Sequence, residues 1–244
     1  MPPDLFGRTR FAVVIPVYNH GRTVRQVVEA ALKLNLPLFV VDDGSTDGGC
    51  SHLRSIPGVH LLNHPTNLGK GAALLTGFEA VGKTADYVIT LDADGQHHPE
   101  DAPMLMQAVA DSHRAIVVGC RSSMLTAGAP WTSRFGRGFS NFWIRMSGGP
   151  HITDSQSGFR IYPLPEVLQW GVRARRYQFE VEVLVKARWF GLPVIEVPIR
   201  VTYPSQGERI SHFRPFIDFM RNSNTFTRLI CQRIFGLRPK ARVR

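Results

Sequence analysis

The chain alternates short apolar runs with longer stretches of helical spacing, and this alternation restricts its fold more than any other feature. The short runs have the length and the β-branched content of buried strands. Strands that alternate with helices predict a mostly parallel α/β sheet covered by helices on both faces. The predicted strands are Phe11–Val17, Pro37–Val41, His60–Leu62, Tyr87–Leu91 and Ala115–Gly119, and the predicted helices are Thr23–Leu34, Lys70–Val81 and Ala102–Ala110.

Polar segments follow four of the predicted strands at the point where each strand ends. In a sheet of this kind, ligands bind at the carboxyl ends of the strands. Solvation alone does not explain polar residues at four strand ends, so we expect a ligand site at this edge. The four segments are Pro16–Asn19, Asp42–Ser45, Asp92–Asp94 and Gly119–Arg121.

The strand that begins at Tyr87 is followed by two carboxylates, Asp92 and Asp94. Because they are two positions apart, they point to the same side, and Gly95 allows the chain to turn away after them. Together with the amide oxygen of Gln96, they are hard oxygen ligands that suit Mg²⁺ or Mn²⁺ holding a diphosphate. The alternative is a polar strand-to-helix loop in which an aspartate caps the helix.

Two further segments have both a chemical and a structural interpretation. Asp42 or Asp43 can accept a bond from a nucleobase N–H or a ribose hydroxyl, or Asp43 or Ser45 can cap a helix after a turn. Asn67–Gly71 begins a helix with small residues and Lys70, which suits a phosphate at the backbone N–H groups. This segment lacks the full phosphate-loop pattern.

Composition and charge narrow the class of protein. The 244 residues, 43% of them hydrophobic, can form one domain or two fused halves. No apolar run reaches the ~18 residues that a spanning helix needs, and no signal-peptide pattern begins the sequence. Three cysteines without metal-ligand spacing fit a reducing cytoplasm.

The positive charge is concentrated at the C-terminal end of the sequence. The net charge is +10, and the segment from Ser205 onward holds nine basic and two acidic residues. The nearly balanced body argues against a nucleic-acid groove across it. The basic end can contact nucleic acid, anionic lipid or solvent.

The second half of the sequence carries candidate ligands for an anion. Arg121, Arg134 and Arg137 flank a loop of small residues, and arginine binds phosphate bidentately. For Arg134 and Arg137 the alternative is the solvated basic face of a helix that the spacing predicts there. Asp154 can orient an acceptor or act as a base, and Arg160 can equally be its structural ion-pair partner.

Five motifs occur in order along the chain: Pro16–Asn19, Val41–Asp47, Asn67–Gly71, Asp92–His97 and Asp154–Arg160. As a set they resemble those of the family 2 glycosyltransferases of the GT-A fold, nearest the dolichol-phosphate mannosyltransferase and polyprenyl-phosphate glycosyltransferase branch. The resemblance runs from about Phe11 to Tyr203. It implies a Rossmann-like sheet and an inverting transfer from a nucleotide-diphosphate sugar to a lipid-linked acceptor, a polyprenyl phosphate, with Mg²⁺ or Mn²⁺ as cofactor.

The resemblance, read together with the patterns above, assigns roles to individual residues. Those expected to bind the nucleotide sugar are Pro16, Tyr18, Asp43, Lys70 and Asp92, and those expected to hold the metal are Asp92, Asp94 and Gln96. The candidate catalytic residues are Asp94, Arg121 and Asp154, and the candidate acceptor ligands are Arg134, Arg137, Arg209 and His212. The last two replace a Gly-x-Ser-Lys loop that the branch carries after its last strand.

The chemistry depends on the acceptor. A lipid phosphate is already ionised and needs only positioning and charge neutralisation. A hydroxyl acceptor needs a base, for which Asp154, Glu180 and Glu182 are available, although Glu182 is better explained as stabilising the first turn of a helix. Two other classes stay open: a basic nucleic-acid-binding α/β protein, whose binding would be salt-sensitive, and a sugar nucleotidyltransferase, whose Gly-rich basic loop after the first strand is missing here.

The C-terminal part of the sequence predicts an amphipathic helix, Pro215–Phe235, that either docks on the domain or lies on an anionic membrane. The basic run Arg238–Arg244 favours the membrane. We expect a single GT-A domain at 1–204, with a nucleotide-sugar half at 1–120 and an acceptor half at 121–204, and a basic loop, helix and tail at 205–244. The expected location is peripheral, on the cytoplasmic face of the membrane, with no nucleic-acid partner.

Overall fold

The computed structural model describes residues 9–112, 114–121, 131–202 and 215–237, and within them one seven-stranded sheet carries helices on both faces. The strands are β1 (Phe11–Val17), β2 (Leu38–Asp42), β3 (Val59–Asn63), β4 (Tyr87–Thr90), β5 (Ile116–Cys120), β6 (Arg160–Pro163) and β7 (Val194–Pro198). The helices are α1 (Val24–Leu32), α2 (Lys70–Val81), α3 (Ala102–Ser112), α4 (Trp131–Met146), α5 (Glu166–Gln169), α6 (Gln178–Trp189) and α7 (Pro215–Ile234).

The sheet is parallel except for one strand. Its order is β3-β2-β1-β4-β6-β5-β7, and β6 runs antiparallel to both of its neighbours. Six strands therefore end at the same edge, where the amino end of β6 also lies. The loop that precedes β6, Asp154–Phe159, is thereby brought to the edge at which the other polar segments were predicted. The mostly parallel α/β sheet is confirmed, and the reversed strand is an addition to it.

Alternation along β1 divides the core into two layers. Ala12 and Val14 belong to the layer that α2, α4 and α6 cover, whereas Val13 and Ile15 belong to the layer under α1 and α3. Successive side chains of a strand point to opposite faces, so a strand that is buried on both sides is apolar at every position. Two-sided burial explains why the parallel strands stand out in the sequence as continuous apolar runs.

Pro16 lies in β1, an interior strand of the sheet, at a place where its missing N–H costs no sheet bond. The carbonyl of Val14 points to β4, where it accepts the N–H of Leu91. Two positions along the same strand, the backbone groups of residue 16 point to the same side. The pairing of β1 with β4 ends at the Val14–Thr90 pair, whereas its pairing with β2 continues to Val17. Backbone pairing between β1 and β4 thus stops where the acidic segment begins.

Helix α7 docks on the domain. Phe226 and Leu229 are buried, and the ring of Phe226 lies 6.2 Å from Trp143 of α4. Arg228 donates to the carboxylate of Glu182 in α6 at 2.6 Å. Met220 and other apolar residues near the end of the helix stay exposed, so docking accounts for one face only. Among the described helices, none combines the length and apolar content that crossing a bilayer requires.

Candidate active site

The acidic segment after β4 forms the centre of the site. Asp92 and Asp94 are both partly exposed, and Gly95 has a φ of 74°, a conformation that glycine adopts without steric cost. The backbone N–H of Gln96 donates to Asp94 Oδ1 at 3.0 Å, which turns the chain back toward the sheet. The two carboxylates and the buried Gln96 are therefore presented together at the carboxyl edge of the sheet.

The two aspartates differ in their pKa values. Burial raises the pKa of Asp94, and the negative charge of Asp92 raises it further. Burial acts on Asp92 in the same direction and is the largest single influence, but Lys70, His97 and Arg121 together outweigh it and hold the pKa of that carboxyl below its usual value. The pair thus combines one well-neutralised carboxylate with one that forms no ion pair with any of the described residues.

This donor set fits a divalent metal ion. In the described ranges, no three His, Cys, Asp or Glu side chains converge to form a metal site by themselves. Mg²⁺ is commonly held by one or two carboxylates and completes its shell with water and substrate phosphates. Asp92, Asp94 and the Gln96 amide match such a partial set, and a divalent cation would relieve the repulsion that raises the pKa of Asp94.

Lys70 connects the acidic segment to α6. At the first position of α2, its Nζ lies 2.6 Å from Asp92 Oδ1 and 2.7 Å from Glu180 Oε1. Burial alone would lower the pKa of Lys70, but the two carboxylates more than offset it and raise the pKa above its usual value. Lys70 is therefore a fixed positive charge beside the predicted metal ligands.

The amino end of α2 is less open to a phosphate than the sequence suggested. The N–H of Ala72 donates to the carbonyl of Arg175 at 2.9 Å. A Cβ at Gly69 would lie 2.5 Å from that same carbonyl oxygen, so glycine is needed for the close approach of the two segments. The Lys70 ammonium, rather than the free N–H groups, is what this helix presents to an anion.

Asp43 is buried and ties two loops together. Its carboxylate accepts the N–H of Leu68 at 2.9 Å and of Gly69 at 2.7 Å, and it lies 2.7 Å from His64 Nδ1. Its neighbour Asp42 accepts the N–H of Ser45 at 2.8 Å and closes a turn. The predicted turn is present, closed by Asp42, but no helix begins near Thr46 for Asp43 or Ser45 to cap. Asp43 instead binds the backbone before α2, and its role in nucleoside binding stays a prediction.

The loops after β1 and β2 form a joint wall beside the acidic segment. Asn19, at a φ of 52°, receives a bond from Thr46 N–H on its side chain and donates its own N–H to Ser45 Oγ. Pro16 is buried below this wall and Tyr18 is half-buried within it. The structure therefore brings the predicted nucleoside residues Pro16 and Tyr18 to the site edge.

On the other side of the site, Asp154 is fully buried in an ion pair with Arg121. Arg121 donates Nε to Asp154 Oδ2 at 2.7 Å and Nη2 to Oδ1 at 2.8 Å. Burial would raise the pKa of Asp154, but Arg121, with a smaller contribution from Arg137, overrides it and lowers the pKa. Arg160 instead donates to backbone carbonyls, among them that of Ser155, so it is not the ion-pair partner of Asp154.

Gly158 joins the two sides. It lies in the loop before β6, and its carbonyl accepts the hydroxyl of Thr90 at 2.8 Å. A Cβ at this position would overlap the carboxylate of Asp92. The loop that carries Asp154 therefore passes directly against the predicted metal ligand, and only a glycine allows this.

Three features of the candidate site were not predicted from the sequence. Glu180 pairs with Lys70 and was considered only as a base, and Gly158 was treated only as part of a motif. His97 is 8% exposed, its Nε2 is 3.9 Å from Asp92 Oδ2, and its Nδ1 has no bonding partner among the described residues. Its position directly after Gln96 was the one available signal.

The remaining acceptor residues are only partly visible. Arg137 is buried in α4, close enough to Asp154 to affect its pKa. Arg134 lies in the same helix, but its side chain is outside the described residues, as are Arg209 and His212 altogether. Glu182 accepts bonds from Arg228, Lys186 and the backbone N–H of Ala174, which supports a structural role. This role differs from the predicted one, because the acid in the first turn of α6 is Glu180.

Comparison with known proteins agrees with this geometry. Residues 12–166 match the family model described as glycosyl transferase family 2. A UDP-N-acetylglucosamine–dolichyl-phosphate N-acetylglucosaminyltransferase from Methanococcus voltae is 31% identical over 213 residues, covering 78% of this chain and 85% of the relative. The polyprenol monophosphomannose synthase of Mycolicibacterium smegmatis is 29% identical over 206 residues, covering 79% and 77%.

Among solved structures, the glucosyl-3-phosphoglycerate synthase of Mycobacterium tuberculosis, crystallised with Mn²⁺, UDP and phosphoglyceric acid, superimposes with a TM-score of 0.67 at 20% identity. The match covers 93% of this chain and 78% of that one, and it shows the shared GT-A fold. The named sequence relatives act on polyprenyl or dolichyl phosphates, the branch that the motifs indicated. The chain belongs to glycosyltransferase family 2, is a glycosyltransferase, and is most similar to the branch of polyprenyl-phosphate glycosyltransferases.

Proposed function

We propose that the enzyme transfers a sugar, with inversion, from a nucleotide-diphosphate sugar to a polyprenyl phosphate, in the presence of Mg²⁺ or Mn²⁺. The observation that carries the choice of acceptor is the closed ion pair between Asp154 and Arg121. A carboxylate that is fully buried, has both oxygens bonded to one guanidinium and has a lowered pKa is a poor general base. An acceptor that is already ionised needs no base.

On the donor side, Asp92, Asp94 and Gln96 would hold the metal and the diphosphate. When bound, the metal supplies positive charge for the diphosphate leaving group. Lys70 supplies a second, permanent charge at the same place. Pro16, Tyr18 and Asp43 would position the nucleoside beside the sheet edge, and the interlocked loops after β1 and β2 keep that wall rigid.

On the acceptor side, Arg121 and Arg137, with Arg134 as a further candidate, would bind the lipid phosphate. Asp154 acts as a positioning residue, because its two bonds fix the plane of the Arg121 guanidinium. A phosphate oxygen then attacks the anomeric carbon from the side opposite the diphosphate. The new C–O bond forms as the bond to the diphosphate breaks, the nucleoside diphosphate leaves with the electron pair, and this single displacement inverts the anomeric configuration.

A pair of matched acceptors tests this assignment. A thermal-shift screen of UDP-, GDP- and dTDP-sugars with Mn²⁺ first identifies the donor, because a ligand that binds only the native state raises its stability. Transfer is then measured to a short-chain polyprenyl phosphate and to the alcohol of the same chain. We expect product from the phosphate alone. Product from the alcohol alone would contradict the proposed acceptor and return Asp154 to the role of base.

A lipid acceptor implies that the enzyme works at a membrane, and we place it peripherally on the cytoplasmic face. Each basic residue near an anionic surface contributes about 1 kcal/mol. Deleting Leu237–Arg244 should therefore weaken sedimentation with anionic vesicles, as raised salt does for the intact protein. Transfer to a water-soluble acceptor should survive. An intact protein that ignores anionic vesicles at low salt would contradict the membrane location.

A further inference from the structure

Outside the active site, a cavity of about 360 Å³ lies where α4, α6 and α7 end together. It is lined by Arg145, Arg188, Arg233, Trp189, Gly148 and Gly149. The ends of the helices are bonded to one another there, because Arg233 donates to the carbonyl of Met146 at 2.7 Å and Trp189 Nε1 to that of Ser147 at 3.1 Å. The cavity is therefore a built feature of the fold.

The cavity has an excess of positive charge. Its lining holds three arginines and no carboxylate, and across the described ranges no carboxylate forms an ion pair with any of the three. Helix C-termini favour cations, but each carries only about half a negative charge, so three helix ends balance about half of the arginine charge. The remainder is available to an anion that enters from solvent.

Exposed apolar side chains border this basic cavity. Ile234, Phe235 and Leu237, which follow Arg233, are 70%, 70% and 67% exposed. Phe142 and Met146 lie one turn apart on α4 beside Arg145 and are also exposed. Large apolar residues in a cluster mark an interaction surface, and a mixture of apolar side chains with arginine is what the interfacial region of a bilayer accommodates.

We propose that this cavity binds the phosphate of an anionic phospholipid headgroup, while the apolar side chains around it insert between the neighbouring lipids. Arginine binds phosphate oxygens through paired N–H groups, and Trp189, which also lines the cavity, is of a residue type enriched at membrane interfaces. The inference rests on the proposed membrane location, and it assigns to it a defined site within the folded domain.

The headgroup site is separate from the acceptor site. Arg145 follows Arg137 by eight positions along α4, and Arg188 follows Glu180 by eight positions along α6. At 1.5 Å per residue, each interval is about 12 Å long. One phosphate does not span that distance, so a lipid in the cavity differs from the lipid that accepts the sugar, and α4 connects the two on one side of the protein.

The test compares two double variants with the same change of charge in the full-length protein. Arg145→Gln with Arg188→Gln removes two positive charges from the cavity but keeps the Arg233–Met146 bond and the whole tail. As a control, Lys33→Gln with Arg54→Gln removes two exposed charges from the opposite face of the sheet. Lys33 and Arg54 are close in sequence to Ala31 and Leu53, which belong to the core layer on that face. Binding is measured by titration with phosphatidylcholine vesicles that contain phosphatidylglycerol, and with phosphatidylcholine vesicles alone.

We expect the cavity variant to bind the anionic vesicles about thirtyfold more weakly than the wild type, at about fivefold per arginine, and the control variant to change by less than about twofold. Equal losses in both variants would show that diffuse charge alone attracts the protein and would overturn the proposal. So would a wild type that does not distinguish the two vesicle compositions. Transfer to a water-soluble polyprenyl phosphate is measured separately, so failure of that reaction leaves the vesicle result intact.

Discussion

The donor side and the acceptor side of the site both hold acidic side chains, but the charges of these side chains are neutralised differently. On the donor side, the ammonium of Lys70 contacts the carboxylates of Asp92 and Glu180, and the carboxylate of Asp94 lies close enough to Asp92 to be affected by its charge. On the acceptor side, both oxygens of Asp154 are bonded to Arg121. Among the described residues, the first arrangement has more carboxylates than cations in contact with them, whereas in the second the carboxylate and the guanidinium are matched one to one.

This difference explains which ligand each side can take. An excess of carboxylates at a partly exposed sheet edge stabilises a divalent cation and, through it, a diphosphate. A closed pair has no free carboxylate to take up a proton, so it can only hold its arginine in place for an anion. Variants on the donor side and variants on the acceptor side should therefore fail in different measurements.

The largest expected effect is on the acceptor side. Arg121→Ala should lower transfer by about a thousandfold, in line with loss of a group that neutralises charge in the reaction, and should leave metal-dependent donor affinity nearly unchanged. It should also lower the free energy of unfolding by about 3–5 kcal/mol, because Asp154 remains buried without a partner. Kinetics, donor titration and chemical denaturation measure the three quantities.

A second variant separates folding from function here. In Arg121→Gln combined with Asp154→Asn, no buried charge is left unpaired, so most of the lost stability should return while transfer stays low. Asp154→Asn alone should be milder on transfer than Arg121→Ala. The reverse order, with loss of the acidic limb of the pH–rate profile in Asp154→Asn, would make Asp154 a base and remove the contrast between the sides.

On the donor side, Asp94→Asn should weaken nucleotide-sugar binding in the presence of Mn²⁺ by about a hundredfold, since it removes a charged ligand. The fold should stay intact, because Asp94 is partly exposed in a loop. Calorimetric titration of the donor with and without Mn²⁺ measures the effect. Unchanged metal-dependent affinity in a folded Asp94→Asn protein would remove Asp94 from the metal site.

Local patterns in the sequence predicted the elements, and long-range contacts limited the prediction of the site. The bounds of β1 and α2 agree with those predicted, because apolar periodicity and a glycine before the helix are properties of neighbouring residues. The reversed β6 has no such local signal. The Lys70–Glu180 pair joins positions 110 residues apart, and the Arg121–Asp154 pair exists because β6 reverses. Neither pair could be predicted without first knowing the order and direction of the strands.

The contact between the two sides is itself testable at Gly158. A Cβ there would displace the Asp92 carboxylate, so Gly158→Ala should weaken metal-dependent donor binding by about tenfold although position 158 carries no ligand group. Gly138→Ala is the matched control, because a Cβ at that helical position meets nothing within 4 Å. If both variants bind donor like the wild type, the loop before β6 does not support Asp92 and the two sides act independently.

The smallest effect is expected where buried charges serve the fold alone. Arg228→Gln removes one bond to Glu182, which keeps Lys186, so the free energy of unfolding should fall by about 1–2 kcal/mol with no change in transfer.

Burial would raise the pKa of Glu182, but Lys186 and then Arg228 lower it. A lowered carboxyl pKa contributes stability above the pKa of the unfolded chain and loses it as pH falls through that of the folded protein. The difference between wild type and variant in urea denaturation should therefore be full at neutral pH, begin to shrink near the ordinary glutamate pKa of about 4.3, and disappear only below the lowered pKa of Glu182. A difference that persists in acid would mean that packing of α7, rather than the charge of Glu182, gives Arg228 its effect.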